Sequence, residues 1–331
     1  MTARGRKTLH KKYILFGAGS YGKRLLQWFG KNEIVYFCDN SNKQSSVDGV
    51  EIIQYKKLKE VHKDYHIVLA VERNDYAAEI ANQLNADDIP FISFEDAAGK
   101  YINEIELPVY ESMNKRPTFQ YDSSCSRFAI QDRFSAAGGV HSYFWQDLWA
   151  AKHIFEKKPE YHYDIGSRID GFIAHLSTFG QKVRLLDIRP LGYEIPNVDF
   201  VQCDATNLDT IADNSIESLS ALCSLEHFGL GRYGDPIDPE ACFKCFVAIQ
   251  KKVKPGGFAY IAVPVGREHL EWHVHRVFNA STIVASFDEM SLVEYSTTSE
   301  GKIEYNTNLH KYDAHPQYGG ECFGLFMLKK K

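Results

Sequence analysis

Glu226 and His227 are adjacent in the chain, and a carboxylate beside an imidazole can move a proton near neutral pH. His227 could act as the base, with Glu226 orienting the ring or taking the proton itself. The plainer alternative is that the pair caps a loop and lines a ligand pocket. Directly after it comes Gly229-Leu-Gly-Arg-Tyr-Gly-Asp-Pro. Three glycines let a backbone approach a ligand closely, and Arg232, with Tyr233 beside it, suits a carboxylate or phosphate. The competing reading is a tight loop tied by an Arg232–Asp235 ion pair. A third cluster, Arg267-Glu-His-Leu-Glu-Trp-His-Val-His-Arg, puts His269 and His273 four apart, a metal-compatible spacing on a helix. It is not the HExxH zinc pattern. A lid is the preferred reading, with His275 and Arg276 on the substrate side and no metal assigned.

These residues need elements to hold them, and the second half of the chain supplies a series. Tyr161–Gly166 reads as a strand running into a glycine turn, followed by a helix from Gly171 to Phe179. Strand 182–186 ends at Asp187, strand 198–203 at Asp204-Ala205, and strand 215–222 runs into Cys223-Ser-Leu-Glu-His. Helix 238–253 stops at Lys254-Pro-Gly-Gly, and strand 258–263 follows. Strands alternating with helices imply a parallel sheet, and ligands gather at the carboxyl ends of such strands. The preceding aromatic stripe Tyr143, Phe144, Trp145, Leu148, Trp149 reads as helix packing, with Tyr143 or Gln146 near a ligand.

The order of Gly166, Asp187, Asp204 and Lys254-Pro-Gly-Gly at successive strand ends resembles class I S-adenosylmethionine (SAM) methyltransferases, over roughly residues 160–300. The segments Asp164-Ile-Gly-Ser-Arg-Ile-Asp-Gly-Phe, Leu186-Asp-Ile-Arg-Pro-Leu and Ser224-Leu-Glu-His-Phe-Gly-Leu-Gly-Arg-Tyr-Gly-Asp-Pro resemble a methyltransferase-like family. That family has no assigned reaction and often occurs among polysaccharide-related genes. The resemblance implies SAM as cofactor, bound by Asp164, Gly166, Ser167, Asp187, Ile188, Asp204 and Ala205. Asp187 would hold the ribose hydroxyls, Asp204 the adenine amino group, and Gly166 would make room for the methionine part. It also implies O-methylation of a sugar or nucleotide-linked sugar. The glycine loop departs from the family's usual pattern, since only Gly166 and Gly171 remain in it.

The first half carries Gly17-Ala-Gly-Ser-Tyr-Gly after a short apolar strand, with Asp39 about twenty residues on. In that context Gly17, Gly19 and Gly22 can admit a pyrophosphate at a helix N-terminus, and Asp39 can hold a ribose. This small module resembles those attached to sugar-modifying enzymes. Nucleotide or nucleotide-sugar binding is the leading expectation; scaffolding or dimerisation is its rival. The expected fold is α/β, with two Rossmann-like parallel-sheet domains. The boundaries are 1–105 for the first module, 106–150 for a connector and aromatic helix, and 151–331 for the methyltransferase-like domain.

With 331 residues there is material for two domains. A net charge of -5, from 38 basic and 43 acidic residues, gives no footprint for nucleic acid. No apolar run reaches membrane-spanning length. Seven cysteines, of which Cys242 and Cys245 read as core thiols on a helix, point to a reducing cytoplasm. The partners implied are a small-molecule or glycan substrate, a nucleotide-sugar among the candidates, and a second copy of the chain as one possible assembly. Two other functions compete: a non-catalytic scaffold of two degenerate nucleotide folds, and a nicotinamide-dependent oxidoreductase using the N-terminal loop.

Overall fold

The computed structural model describes residues 12–331 except 42–43, 72–73, 126, 128, 135–139, 300 and 316–321. The chain divides into two compact units, Met1–Gly138 and Gly139–Lys331. In the first, β1 (Tyr13–Phe16) is buried along its whole length, as a parallel strand covered on both faces must be. It pairs in parallel with β2 (Ile34–Cys38) and with β5 (His66–Leu69). The short hairpin β3 (Ser46–Val47) and β4 (Val50–Ile53) extends one edge, and β6 (Phe91–Ile92) the other. Between β1 and β2 runs α1 (Ser20–Phe29), which buries Gly22, Leu25, Leu26 and Phe29, one face at helical spacing. It ends at Gly30, whose φ of 84° needs no Cβ penalty. Helices α2 (Tyr55–Val61), α3 (Asn74–Ala86), α4 (Phe94–Tyr101) and α5 (Leu107–Met113) complete the unit. A π-helical stretch, Ile102–Glu106, joins the last two, so helix continues where a connector is expected from residue 106.

The second unit opens with α6 (Ser142–Lys157). Its sheet contains β7 (Tyr161–Ile165), β8 (Lys182–Asp187), β9 (Val198–Gln202), β10 (Ile216–Leu222) and β11 (Val253–Pro264), all parallel. Helices α7 (Ala174–Thr178) and α8 (Ala241–Lys252) are crossovers between these strands. After β11 come the hairpin β12 (His269–Glu271) and β13 (His275–Val277), then α9 (Ala280–Ser286). Last are β14 (Met290–Ser299), β15 (Lys302–Glu304) and β16 (Phe323–Lys330), which runs antiparallel against β11. The order across the sheet is β15-β14-β16-β11-β10-β7-β8-β9. Cys242 and Cys245 are fully buried free thiols in the core under α8.

Two expectations need correction here. The aromatic stripe of α6 is not uniformly packed. Trp149 is buried and donates its indole N–H to Glu294 Oε1 at 2.8 Å, whereas Tyr143, Phe144 and Leu148 are exposed. The first turn of α6 brings Tyr143 and Phe144 into the lining of a cavity, while Tyr143 also packs edge-on against Phe323 of β16. The His269–His275 segment is a hairpin, not a helix, with His273 at its turn at φ 64°. The i, i+4 spacing therefore stacks nothing, because His269 lies on an extended strand and His273 in the turn, not one helical turn apart.

Candidate active site

The end of β7 is held by a buried polar chain that crosses to β10. His162 lies between Ser218 and Ser220, with Nδ1 and Nε2 each 2.8 Å from a hydroxyl. The Ser220 hydroxyl donates to Asp164 Oδ2, so it accepts from His162 Nε2–H, and the Ser218 hydroxyl donates to Nδ1. Burial pushes His162 down to about 3, so the ring is neutral. Asp164 also accepts from the Ser167 N–H (3.0 Å) and hydroxyl (2.8 Å). These bonds oppose burial, which lifts its carboxyl to about 6. Asp164 is thus the clamp of the glycine turn and does not line the cavity. The turn itself needs Gly166, whose φ is +73°. Its N–H donates to Leu186 O at 2.9 Å, bringing the ends of β7 and β8 together. Beyond it, Arg168 forks Asp170 at 3.0 and 2.7 Å on the surface. A π-helical turn, Ile169–Ile173, replaces the helix start expected at Gly171.

A cavity of about 940 Å³ opens over these strand ends. Its wall includes Gly166 and Ser167 after β7, Asp187, Ile188 and Arg189 after β8, Asp204 and Ala205 after β9, and Cys223, Ser224 and His227 after β10. Asp187 is engaged: Arg189 Nε and Nη2 reach its two oxygens at 3.0 and 2.7 Å, and the Arg189 N–H donates to Oδ1 at 2.8 Å. The Arg189 guanidinium also lies 4.5 Å from the Tyr233 ring centre. Asp204 accepts from the Thr206 N–H at 2.9 Å and is otherwise exposed to the cavity. Sequence reasoning passed over Asp147 of α6. It is buried and lines the same cavity, with burial lifting its carboxyl to about 7.

Beyond β10, Cys223 adopts φ 50°, a strained left-handed geometry for a residue with a Cβ. Its thiol donates to Gln146 Oε1 at 3.1 Å. The turn Leu225–His227 buries both candidate proton carriers. His227 Nδ1 donates to Val274 O at 2.6 Å, which leaves Nε2 as the lone-pair nitrogen, 3.6 Å from Glu226 Oε1. Burial lifts Glu226 to about 8, while burial and the nearby Arg232 charge take His227 down to about 4. The proton of the pair therefore sits on Glu226 at neutral pH. Glu226 itself lies behind the cavity wall, with Oε2 buried and without a hydrogen-bond partner among the described residues.

The glycine loop is tied differently from the ion pair considered above. Asp235 accepts from the backbone N–H groups of Gly229 (2.6 Å) and Tyr233 (3.2 Å). Arg232 instead donates to Val274 O at 3.0 Å. Both Arg232 and Tyr233 line the cavity. His275 and Arg276 do not. Arg276 donates to the carbonyls of Phe228, Glu226 and Pro239, holding the loop from behind, and His275 is buried 3.3 Å from Glu271 Oε2. They support the wall, because β13 runs behind the 226–228 turn.

In the first unit, Gly17 (φ 119°) is forced by contact, since a Cβ there would stand 2.4 Å from Ala70 O. Gly22 abuts Gly17 O in the same way, while Gly19 faces open space at the start of α1. Asp39 accepts from the N–H groups of Ala18 and Ser41, both at 2.9 Å, so it braces the loop. A hollow of about 430 Å³ lined by His62, Tyr65, His66 and Phe91 lies at the amino end of β5, away from Gly17–Gly22.

The second unit has five parallel strands in the order β9-β8-β7-β10-β11 with antiparallel β16 between β11 and β14. That is a Rossmann-like α/β sheet. Residues 193–325 match the family described as Caenorhabditis protein of unknown function, DUF268, and residues 9–91 match C2185-like, N-terminal. No curated protein matches the chain. Among solved structures it is similar to the (4+2)-cyclase SpnF, at 14% identity and TM-score 0.42, covering 58% of this chain and 88% of that one. It is also similar to Burkholderia thailandensis 1,6-didemethyltoxoflavin-N1-methyltransferase, at 16% identity and TM-score 0.38, covering 56% and 78%. A third is N-methyltransferase NodS of Bradyrhizobium japonicum WM9, at 12% identity and TM-score 0.39, covering 56% and 87%. Those two methyltransferases were crystallised with S-adenosylhomocysteine.

Proposed function

We propose that this chain is a SAM-dependent methyltransferase that methylates a hydroxyl of a sugar or nucleotide-linked sugar. One observation carries the reading. The cavity sits where the strand order reverses between β7 and β10, the place where open α/β sheets bind nucleotides, and Gly166, Asp187 and Asp204 all line it. The residues fit the cofactor. Asp187 and Asp204 offer acceptors for hydroxyl and amino groups, and Gly166 presents bare backbone. When bound, SAM would supply an electrophilic methyl group on a sulfonium whose thioether is the leaving group. The chain's part is to position the acceptor oxygen and take its proton. His227 lines the cavity with its lone pair on Nε2, and Glu226 behind it would stabilise the imidazolium once ionised. Arg232 and Tyr233 offer a cation and an aromatic face to a phosphorylated sugar. We assign the loop that Gly17 and Gly22 shape and Asp39 braces, with Gly19 facing open space at the start of α1, to a nucleotide or nucleotide-sugar site of the first unit.

The test is calorimetric titration with S-adenosylhomocysteine, followed by methyl transfer to glycan and nucleotide-sugar acceptors. Absence of binding, with Asp187→Ala behaving like wild type, would sink the reading. The fork of Arg189 on Asp187 and the sealed position of Glu226 favour a second one, a nucleotide-fold scaffold without chemistry. It predicts full biological activity for His227→Ala.

A further inference from the structure

The acids around the glycine turn differ in what already engages them. Asp164 is bonded to Ser167 and Ser220, and Asp170 is forked by Arg168. Among the described residues Asp147 has only the Gln146 side-chain amide, 3.2 Å from Oδ1, and no Lys, Arg or His forms an ion pair with it, although the Arg168 charge lies near enough to act on it. It is 8% exposed and lines the cavity. A buried carboxylate without a cation is costly unless a ligand supplies one. Its other oxygen faces the glycine turn: a Cβ on Gly171 would stand 2.6 Å from Asp147 Oδ2. The second surviving glycine of the loop is therefore explained by room for this carboxylate.

We infer that Asp147 is the counter-ion of a ligand ammonium group, the α-amine of the cofactor's amino-acid part, and that Gly171 keeps that subsite open. The inference rests on the methyltransferase reading and assigns one further binding residue within it. Asp147 sits on α6, outside the glycine loop, and provides a buried carboxyl that pairs with the ammonium where the loop retains few glycines. Charge-assisted bonds of this kind are roughly twice as strong as neutral ones.

The experiment compares S-adenosylhomocysteine with 5′-(3-carboxypropyl)thioadenosine, which keeps the adenosine and carboxylate but has no amine, by calorimetry or competition on the full chain. Wild type should prefer the amine-bearing ligand by about 10- to 100-fold. Asp147→Asn, an isosteric change, should erase that preference while leaving affinity for the amine-free ligand within about threefold. Gly171→Ala should reduce the preference in the same direction. If wild type binds the two ligands equally, or Asp147→Asn weakens both alike, the assignment of Asp147 is overturned and the methyltransferase reading stands. If wild type binds neither ligand, both fall together.

Discussion

Arg189 stands two residues after the acid expected to hold the cofactor ribose, and its fork covers both oxygens of that acid. Ribose hydroxyls can take those oxygens only when the fork opens, so Arg189→Met should tighten S-adenosylhomocysteine binding. The fork's worth sets the size of the gain. Its guanidinium side is 49% exposed and its carboxylate side 14%, which places it among half-solvated pairs screened by water. Such pairs are worth about 0.2–1 kcal/mol, and removing one should raise affinity by about 1.5- to 5-fold. The Arg189 N–H bond to Oδ1 is a backbone contact and survives the change. Asp187→Ala should act oppositely, losing hydrogen bonds to a charged group and weakening binding by tenfold or more. Salt adds a second signature: it loosens the fork, so the wild-type affinity should fall less with ionic strength than that of Arg189→Met. The measurement is calorimetric titration of the three proteins at two salt concentrations. If Arg189→Met binds the ligand more weakly than wild type, Arg189 is a ligand contact and not a latch.

Three other outcomes follow from the same geometry. Glu226 keeps its proton up to about 8 in the fold but loses it near 4.5 when unfolded, so stability attributable to this group falls as pH rises between those values. Glu226→Gln should therefore gain in Tm over wild type by several degrees from pH 5 to pH 8, and should lose any rise of kcat/KM through pH 8. His162 is neutral in the fold down to about 3, whereas the unfolded ring takes a proton below 6.5, so its contribution to stability is lost as pH falls below 6.5. His162→Ala strips Ser218 and Ser220 of their partner and should cost about 2–4 kcal/mol in urea unfolding at pH 7, with a flatter acid limb. Gly229→Ala puts a Cβ 1.8 Å from Asp238 O at φ +76°, and should cost about 1–3 kcal/mol in the same assay while disordering Arg232 and Tyr233.

Most of the second sheet was legible because its strands are apolar runs that end on a glycine or an acid. A parallel strand covered on both faces has little freedom to be anything else. Helix α8 and its stop were legible for a similar reason, with Cys242, Cys245 and Ile249 at helical spacing before Lys254-Pro-Gly-Gly. The hairpin at 269–277 was not. Its polar alternation suits a strand or one face of a helix, and only pairing across the turn at His273 decides between them. Asp147 escaped notice because its meaning depends on Gly171, 24 positions away, which no local pattern links to it. The roles of Asp164 and Asp39 as loop braces were hidden likewise, since strand-end acids look alike whether they meet a ligand or a backbone N–H.

The acids at the strand ends therefore sort by partner more than by position. Asp164 and Asp39 are engaged by protein donors, including backbone N–H groups of the glycine turns that follow β7 and β1, which lets one residue shape the loop in each unit. Asp187 is held in reserve by a side chain that can leave at small cost, because the pair is half-solvated. Among the described residues Asp147 has no such partner, and burial leaves its carboxyl near 7, poised to ionise when a cation arrives. A ligand with hydroxyls at one end and an ammonium at the other would satisfy both acids at once. Neither a plain nucleotide nor a dinucleotide carries that combination, whereas an adenosyl amino acid does. The charge pattern of the cavity, more than its thinned glycine loop, separates the two functional readings.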